Sequence, residues 1–127
     1  MAFRAQRIDH VEVFVKNIDA AVRWYHDVLG LAEVARWNPE PVMIGAGGTK
    51  LALFLAPEHA RDESPPSLRW HRVAWRTDRE GFEAAQKHLR ERGIAFRGPV
   101  DHGIAQSVYF QDPDGHPLEI TWYEEER

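Results

Sequence analysis

The chain has 127 residues, of which 43% are hydrophobic and 28% are charged, and its formal net charge is −4. This length fits one domain with a substantial core, and the composition excludes a disordered chain or a basic nucleic-acid binder. The sequence contains no cysteine, which excludes disulfides, thiolate metal sites and cysteine nucleophiles.

The N-terminal segment MAFRAQRIDH lacks the apolar core of a secretion signal, and no stretch approaches the roughly 18 apolar residues of a membrane span. We therefore expect a cytoplasmic protein. Residues 8–15 (IDHVEVFV) alternate valines with other residues, which predicts a β-strand. The alternation places His10 on the face away from the valines.

A helix is predicted after this strand, capped by Asn17 or Asp19 and closed by Gly30. Three short strands are predicted next, at residues 31–37, 41–45 and 49–56. The first module, residues 5–56, therefore has the order β-α-β-β-β.

The charged and proline-rich segment 57–67 predicts a linker, after which the pattern restarts. Module 68–123 contains a strand in RWHRVAWRT, a helix from a cap at Asp78 to Gly93, and strands at residues 94–100, 105–111 and 117–123. The βαβββ unit is thus an internal repeat. The predicted fold class is α+β, with two modules in one domain whose curved mixed sheets pair to enclose a pocket.

The segments DHVEVFV, AAVRWYHDVLGL and YFQDPDGHPLEI, with the repeat, resemble the vicinal oxygen chelate superfamily of glyoxalases, bleomycin-resistance proteins and extradiol dioxygenases. The resemblance covers nearly the whole chain and implies a glyoxalase-like fold. It implies an enzyme with one divalent ion (Fe, Mn, Ni or Zn) that chelates two oxygens of a small substrate. Dioxygenase chemistry is favoured over lyase chemistry. Small members often form homodimers, so we expect a homodimer. We expect no nucleic-acid or membrane partner.

Glu119 lies in a predicted strand opposite Leu118 and Ile120, which places its carboxylate on the pocket face. From the alternation alone, a salt bridge with an arginine in the pocket is the simpler interpretation. The resemblance implies instead that Glu119 is a metal ligand, because the superfamily places its carboxylate ligand after the DPDG turn. His10 is likewise a hydrogen-bonded strand residue by its pattern and a metal ligand by the resemblance.

The third ligand that the resemblance implies comes from the first strand of the second module, where two registers stay open. Alternation with the neighbouring apolar residues places Arg72 in the pocket, whereas counting back from the helix cap gives His71 the position that His10 has in the first module. A β-bulge would reconcile the two registers. If Arg72 faces inward, its salt bridge with Glu119 would replace the metal. The protein would then be a metal-free binding or sequestering member.

Tyr109 is predicted on the pocket face with Ser107 and Gln111, where a core tyrosine is the simpler interpretation. The resemblance implies that its hydroxyl bonds a substrate oxygen, because Tyr109 precedes Glu119 by ten residues. His102 is by default a loop histidine. In the dioxygenase-like interpretation it is an acid, base or hydrogen-bond donor, since a histidine pKa of about 6.5 allows proton transfer near neutrality.

Overall fold

The computed structural model describes residues 6, 8–58 and 72–124. The chain divides into two units, Met1–Glu63 and Ser64–Arg127. Each unit has the order strand, helix and three strands, and each contains one four-stranded mixed sheet. The predicted α+β class and the repeated βαβββ order are therefore confirmed.

The first unit contains β1 (Val11–Val15), α1 (Ile18–Leu29), β2 (Ala32–Arg36), β3 (Val42–Ala46) and β4 (Thr49–Leu55). The strand order is β1-β4-β3-β2, with β1 parallel to β4 and the other pairs antiparallel. The helix begins after Asn17, whose side chain accepts the Ala20 N–H at 2.9 Å, so Asn17 is the cap. It ends at Gly30, whose φ of 72° lies in the left-handed region that favours glycine.

One face of the first sheet forms the core of this unit. Its buried residues include Val13, Val15, Val42, Ile44, Leu51 and Leu53, and those of α1 are Ala21, Tyr25 and Val28. The alternate residues Glu12 and Phe14 are exposed on the other face of β1. The observed strand β1 begins at Val11, later than the predicted strand at residues 8–15, and His10 lies immediately before it.

The second unit contains β5 (Val73–Arg76), α2 (Arg79–Glu91), β6 (Arg97–Asp101), β7 (Ala105–Gln111) and β8 (Pro117–Tyr123). The strand order β5-β8-β7-β6 repeats that of the first unit, with β5 parallel to β8. The Asp78 side chain caps α2 by accepting the Gly81 N–H at 2.8 Å. Strand β6 begins three residues later than predicted, because the Ile94 N–H donates to the Leu89 carbonyl and closes the helix.

Alternation along β7 and β8 separates the two faces of the second sheet. The larger buried apolar residues lie on the face that packs against α2, which contributes Phe82 and Leu89; the strand residues are Val108, Phe110, Leu118 and Ile120. Ser107 and Thr121 are buried on the other face. The DPDG turn joins the two strands, and Asp112 stabilises it by accepting the N–H groups of Asp114 and His116 at 2.8 Å. Within the ranges that the structure describes, no helix is both long and apolar enough to cross a bilayer.

Candidate functional site

One row of side chains crosses all four strands of the second sheet. The register pairs Ala74 with Glu119, Glu119 with Tyr109, and Tyr109 with Arg97. Directly paired residues point to the same face of a sheet, so these four side chains are neighbours. They lie on the face opposite the buried residues that contact α2. We call these residues the cross-strand row.

The Glu119 carboxylate is held in place by one hydroxyl group. Its Oε2 atom accepts a hydrogen bond from Ser107 Oγ at 2.6 Å, and this hydroxyl also lies 3.0 Å from Thr121 Oγ1. On the neighbouring strand, Ala74 contributes only a methyl group. Among the described residues, Oε1 has no hydrogen-bond or ion-pair partner. The carboxylate is thus oriented through one oxygen and offers the other to a cation.

Tyr109 and His102 form a hydrogen-bonded pair beside Glu119. The Tyr109 hydroxyl oxygen lies 2.6 Å from His102 Nε2, and the two rings are nearly perpendicular at 84°. His102 lies between β6 and β7, where its backbone N–H donates to the Ala105 carbonyl at 2.8 Å. A neutral imidazole accepts the hydroxyl proton, whereas a protonated one donates to the hydroxyl oxygen. The proton of this hydrogen bond can therefore belong to either the Tyr109 hydroxyl or His102 Nε2.

Arg72 lies on the same face as Tyr109. Its Cζ atom is 4.4 Å from the centroid of the Tyr109 ring. The salt bridge with Glu119 that would replace a metal is not among the contacts of the described residues. His71 lies outside the described residues, so the choice between the two registers stays a prediction. The described part of β5 pairs with β8 in regular register.

Arg97 also contacts Tyr109, and the sequence analysis did not identify it. Its Cζ atom lies 4.4 Å from the same ring centroid. A register shift separates the pair Arg97 and Tyr109 from the pair Val100 and Ser107. Gly98, with a φ of 115°, supplies the backbone conformation for this bulge. Only the cross-strand register reveals the contact, and no local sequence pattern specifies that register.

His10, in the first unit, is held between two carboxylates. Its Nδ1 atom lies 2.8 Å from Asp9 Oδ2, and its Nε2 atom lies 3.1 Å from Glu12 Oε2. The hydrogen bond with Asp9, followed by that with Glu12, raises the pKa of His10 above its ordinary value of 6.5. Within the described ranges, no three His, Asp or Glu side chains form a metal-binding cluster. His71 lies outside those ranges.

We expect His10 to titrate above pH 6.5, and Asp9→Asn to lower its pKa. Because the folded-state pKa is raised, the stabilisation from protonated His10 is present below the unfolded-state pKa and is lost as the pH rises through the folded-state value. NMR titration of the imidazole C–H signals measures this pKa. Asp27→Asn, which alters an acid beside His26, is the control and leaves His10 unchanged. A His10 pKa at or below 6.5 in the unmodified protein would contradict the expectation.

The family model of the Glyoxalase/Bleomycin resistance protein/Dioxygenase superfamily matches residues 7–120. The chain belongs to this superfamily. A glyoxalase/dioxygenase from Nostoc punctiforme has a similar structure, with a TM-score of 0.80 and 26% identity, over 98% of this chain and 99% of that one. The resemblance stated from sequence motifs is confirmed.

Several superfamily relatives are enzymes by name. Glutathione transferase FosA of Serratia marcescens is 29% identical over 91% of this chain and 79% of its own length. Metallothiol transferase FosB of Shouchella clausii is 32% identical over 89% and 77%. Biphenyl-2,3-diol 1,2-dioxygenase 3 of Rhodococcus globerulus is 32% identical over 90% of this chain, which spans only 62% of that enzyme. The homodimer and the cytoplasmic location stay predictions.

Proposed function

We propose that the protein is a divalent-metal-dependent enzyme that binds two neighbouring oxygens of a small substrate. The proposed metal ligands are His10, His71 and Glu119. The observation that carries the proposal is the state of Glu119, whose Oε2 atom is oriented by Ser107 while Oε1 has no partner among the described residues. The relatives named as transferases and dioxygenases support an enzyme over a passive binder.

The donor atoms fit such an ion. One carboxylate and imidazole nitrogens suit Fe(II), Mn(II), Ni(II) or Zn(II) with open positions for substrate. The contact of His10 Nδ1 with Asp9 resembles the arrangement in which a carboxylate orients a metal-binding histidine. Metal binding through Nε2 requires Glu12 to turn away, and the Glu12 side chain is 61% exposed. It also requires loss of the His10 proton, so metal affinity falls as the pH decreases.

When bound, the ion supplies a Lewis acid that aligns two substrate oxygens. The protein's own residues supply orientation and proton transfer. Tyr109, the strand neighbour of Glu119, donates a hydrogen bond from its hydroxyl to a substrate oxygen. When His102 is protonated, its Nε2–H donates to the Tyr109 hydroxyl oxygen and leaves the hydroxyl proton for the substrate; when His102 is neutral, Nε2 accepts that proton instead. Tyr109 and His102 are therefore the proposed catalytic pair.

A metal-free binding or sequestering protein is the second candidate. Arg72 and Arg97 on Tyr109 form a cationic and aromatic surface that can bind a ligand without metal. Both ring nitrogens of His10 are also already in contact with carboxylates. This candidate differs from the enzyme in requiring no ion.

Elemental analysis distinguishes the two candidates. We expect about one equivalent of Fe, Mn, Ni or Zn in protein purified without an affinity tag or chelator, or after reconstitution with each ion. His71→Ala is expected to lose this metal. His59→Ala, which changes a histidine of the predicted linker, is the matched control and retains it. Absence of metal after reconstitution would overturn the enzyme proposal and favour the binding protein.

A further inference from the structure

Two arginine side chains converge on one tyrosine without a described counterion. The Cζ atoms of Arg72 and Arg97 each lie 4.4 Å from the Tyr109 centroid, so they are separated by no more than twice that distance. Neither has a carboxylate oxygen within 4.0 Å among the described residues. Among the described residues, Arg36, Lys50 and Lys87 form ion pairs, whereas Arg76 and Arg90 also stack on aromatic rings without one.

This arrangement concentrates positive charge in a protein whose net charge is −4. The upper limit of their separation is close to the screening length at physiological ionic strength, which is about 8 Å, so the two charges repel each other only partly screened. The Tyr109 ring attracts each guanidinium through its negative face, but it carries no net charge to neutralise them. Arg76 stacks in the same way on Tyr123, with Cζ 4.4 Å from the centroid, and extends the cationic surface.

The position of the two arginines connects them to Glu119. Arg97 and Tyr109 belong to the cross-strand row, and Glu119 is the next residue in it. A molecule that reaches Glu119 and the Tyr109 hydroxyl therefore has both guanidinium groups nearby. Guanidinium presents parallel N–H donors that match the oxygens of a phosphonate or carboxylate. The negative charge of Glu119 opposes such an anion, and a cation bound at Glu119 would relieve this repulsion.

We propose that Arg72 and Arg97 select substrates that carry an anionic oxygen group, either phosphonate or carboxylate. The inference rests on the proposed function and specifies its substrate class. A neutral substrate, such as an unsubstituted catechol, leaves both guanidinium charges uncompensated and is disfavoured. Discrimination comes from a charge that only the anionic molecule supplies. Arg72 and Arg97 are thus specificity residues, whereas Tyr109 and His102 perform proton transfer.

Calorimetric titration with phenylphosphonate, benzoate and neutral benzyl alcohol tests this inference on the full chain, with and without reconstituted metal. We expect phenylphosphonate to bind more tightly than benzyl alcohol. We expect Arg72→Gln and Arg97→Gln each to weaken its binding by about tenfold or more. Arg90→Gln is the matched control, since Arg90 stacks on Phe96 at 5.4 Å away from the cross-strand row. Arg97→Lys retains the positive charge but lacks the parallel N–H donors of guanidinium, so it is expected to bind phenylphosphonate with intermediate affinity.

The inference would be overturned if phenylphosphonate did not bind, or if it bound no more tightly than benzyl alcohol. It would also be overturned if Arg72→Gln and Arg97→Gln bound phenylphosphonate as tightly as the unmodified protein. Metal content measured on the same samples separates this failure from failure of the proposed enzyme. Metal that depends on His71 together with arginine-independent binding retains the enzyme and rejects the anionic substrate. Arginine-dependent anion binding by a protein that takes up no metal retains the anionic ligand and rejects the metal-dependent enzyme.

Discussion

Replacement of Glu119 with alanine is expected to lower metal affinity by roughly 100-fold or more. The change removes the only proposed anionic ligand and leaves Thr121 Oγ1 as the remaining acceptor of the Ser107 hydroxyl. Titration of metal-free protein with each ion, against a chelator of known affinity, measures the effect. Turnover, once a substrate is found, is expected to fall with metal occupancy.

Two further variants distinguish loss of a ligand from general damage. Glu124→Ala removes an exposed carboxylate just after β8 and is expected to leave metal affinity unchanged. Ser107→Ala keeps the ligand but removes the hydrogen bond that orients it, so a smaller loss of roughly tenfold is expected. Unchanged metal affinity in Glu119→Ala would exclude Glu119 as a ligand.

Leu53→Ala is expected to reduce the free energy of unfolding by roughly 2–5 kcal/mol. Leu53 is fully buried in β4 between its partners Val13 and Val42, so truncation leaves a cavity in the core of the first unit. Leu55, two residues along the same strand, is 39% exposed. Leu55→Ala is therefore expected to cost less than about 1 kcal/mol. Urea denaturation of both variants measures the difference, and equal losses would show that Leu53 does not lie in a packed core.

Local sequence signals predicted most of the fold. Asp78 and either Asn17 or Asp19 were predicted as caps because their short polar side chains can accept the first N–H groups of a helix, and the structure has Asn17 and Asp78 in these positions. Strands β7 and β8 were predicted with the observed boundaries, since apolar and polar residues alternate along both sequences. Strand β6 was predicted too long because the contact between Ile94 and Leu89 extends the helix exit, which alternation does not reveal.

The candidate site was predicted less completely because its contacts join residues on different elements. Alternation placed Glu119 and Tyr109 on one face, and the observed register makes them neighbours. Arg97 was missed because its approach to Tyr109 depends on a bulge in β6. The contact of His102 with Tyr109 depends on the conformation of the intervening loop. The metal-binding roles of His10, His71 and Glu119 stay predictions.

The strand order of the two sheets affects folding during synthesis and the consequence of proteolysis. In each unit the strand that leaves the ribosome first pairs in parallel with the strand that leaves last. The opening strand therefore lacks its hydrogen-bonding partner until the whole unit has been translated. Such distant pairing slows folding relative to hairpins formed by neighbouring strands. A proteolytic fragment that lacks β4 or β8 also leaves an unpaired strand edge, which favours aggregation.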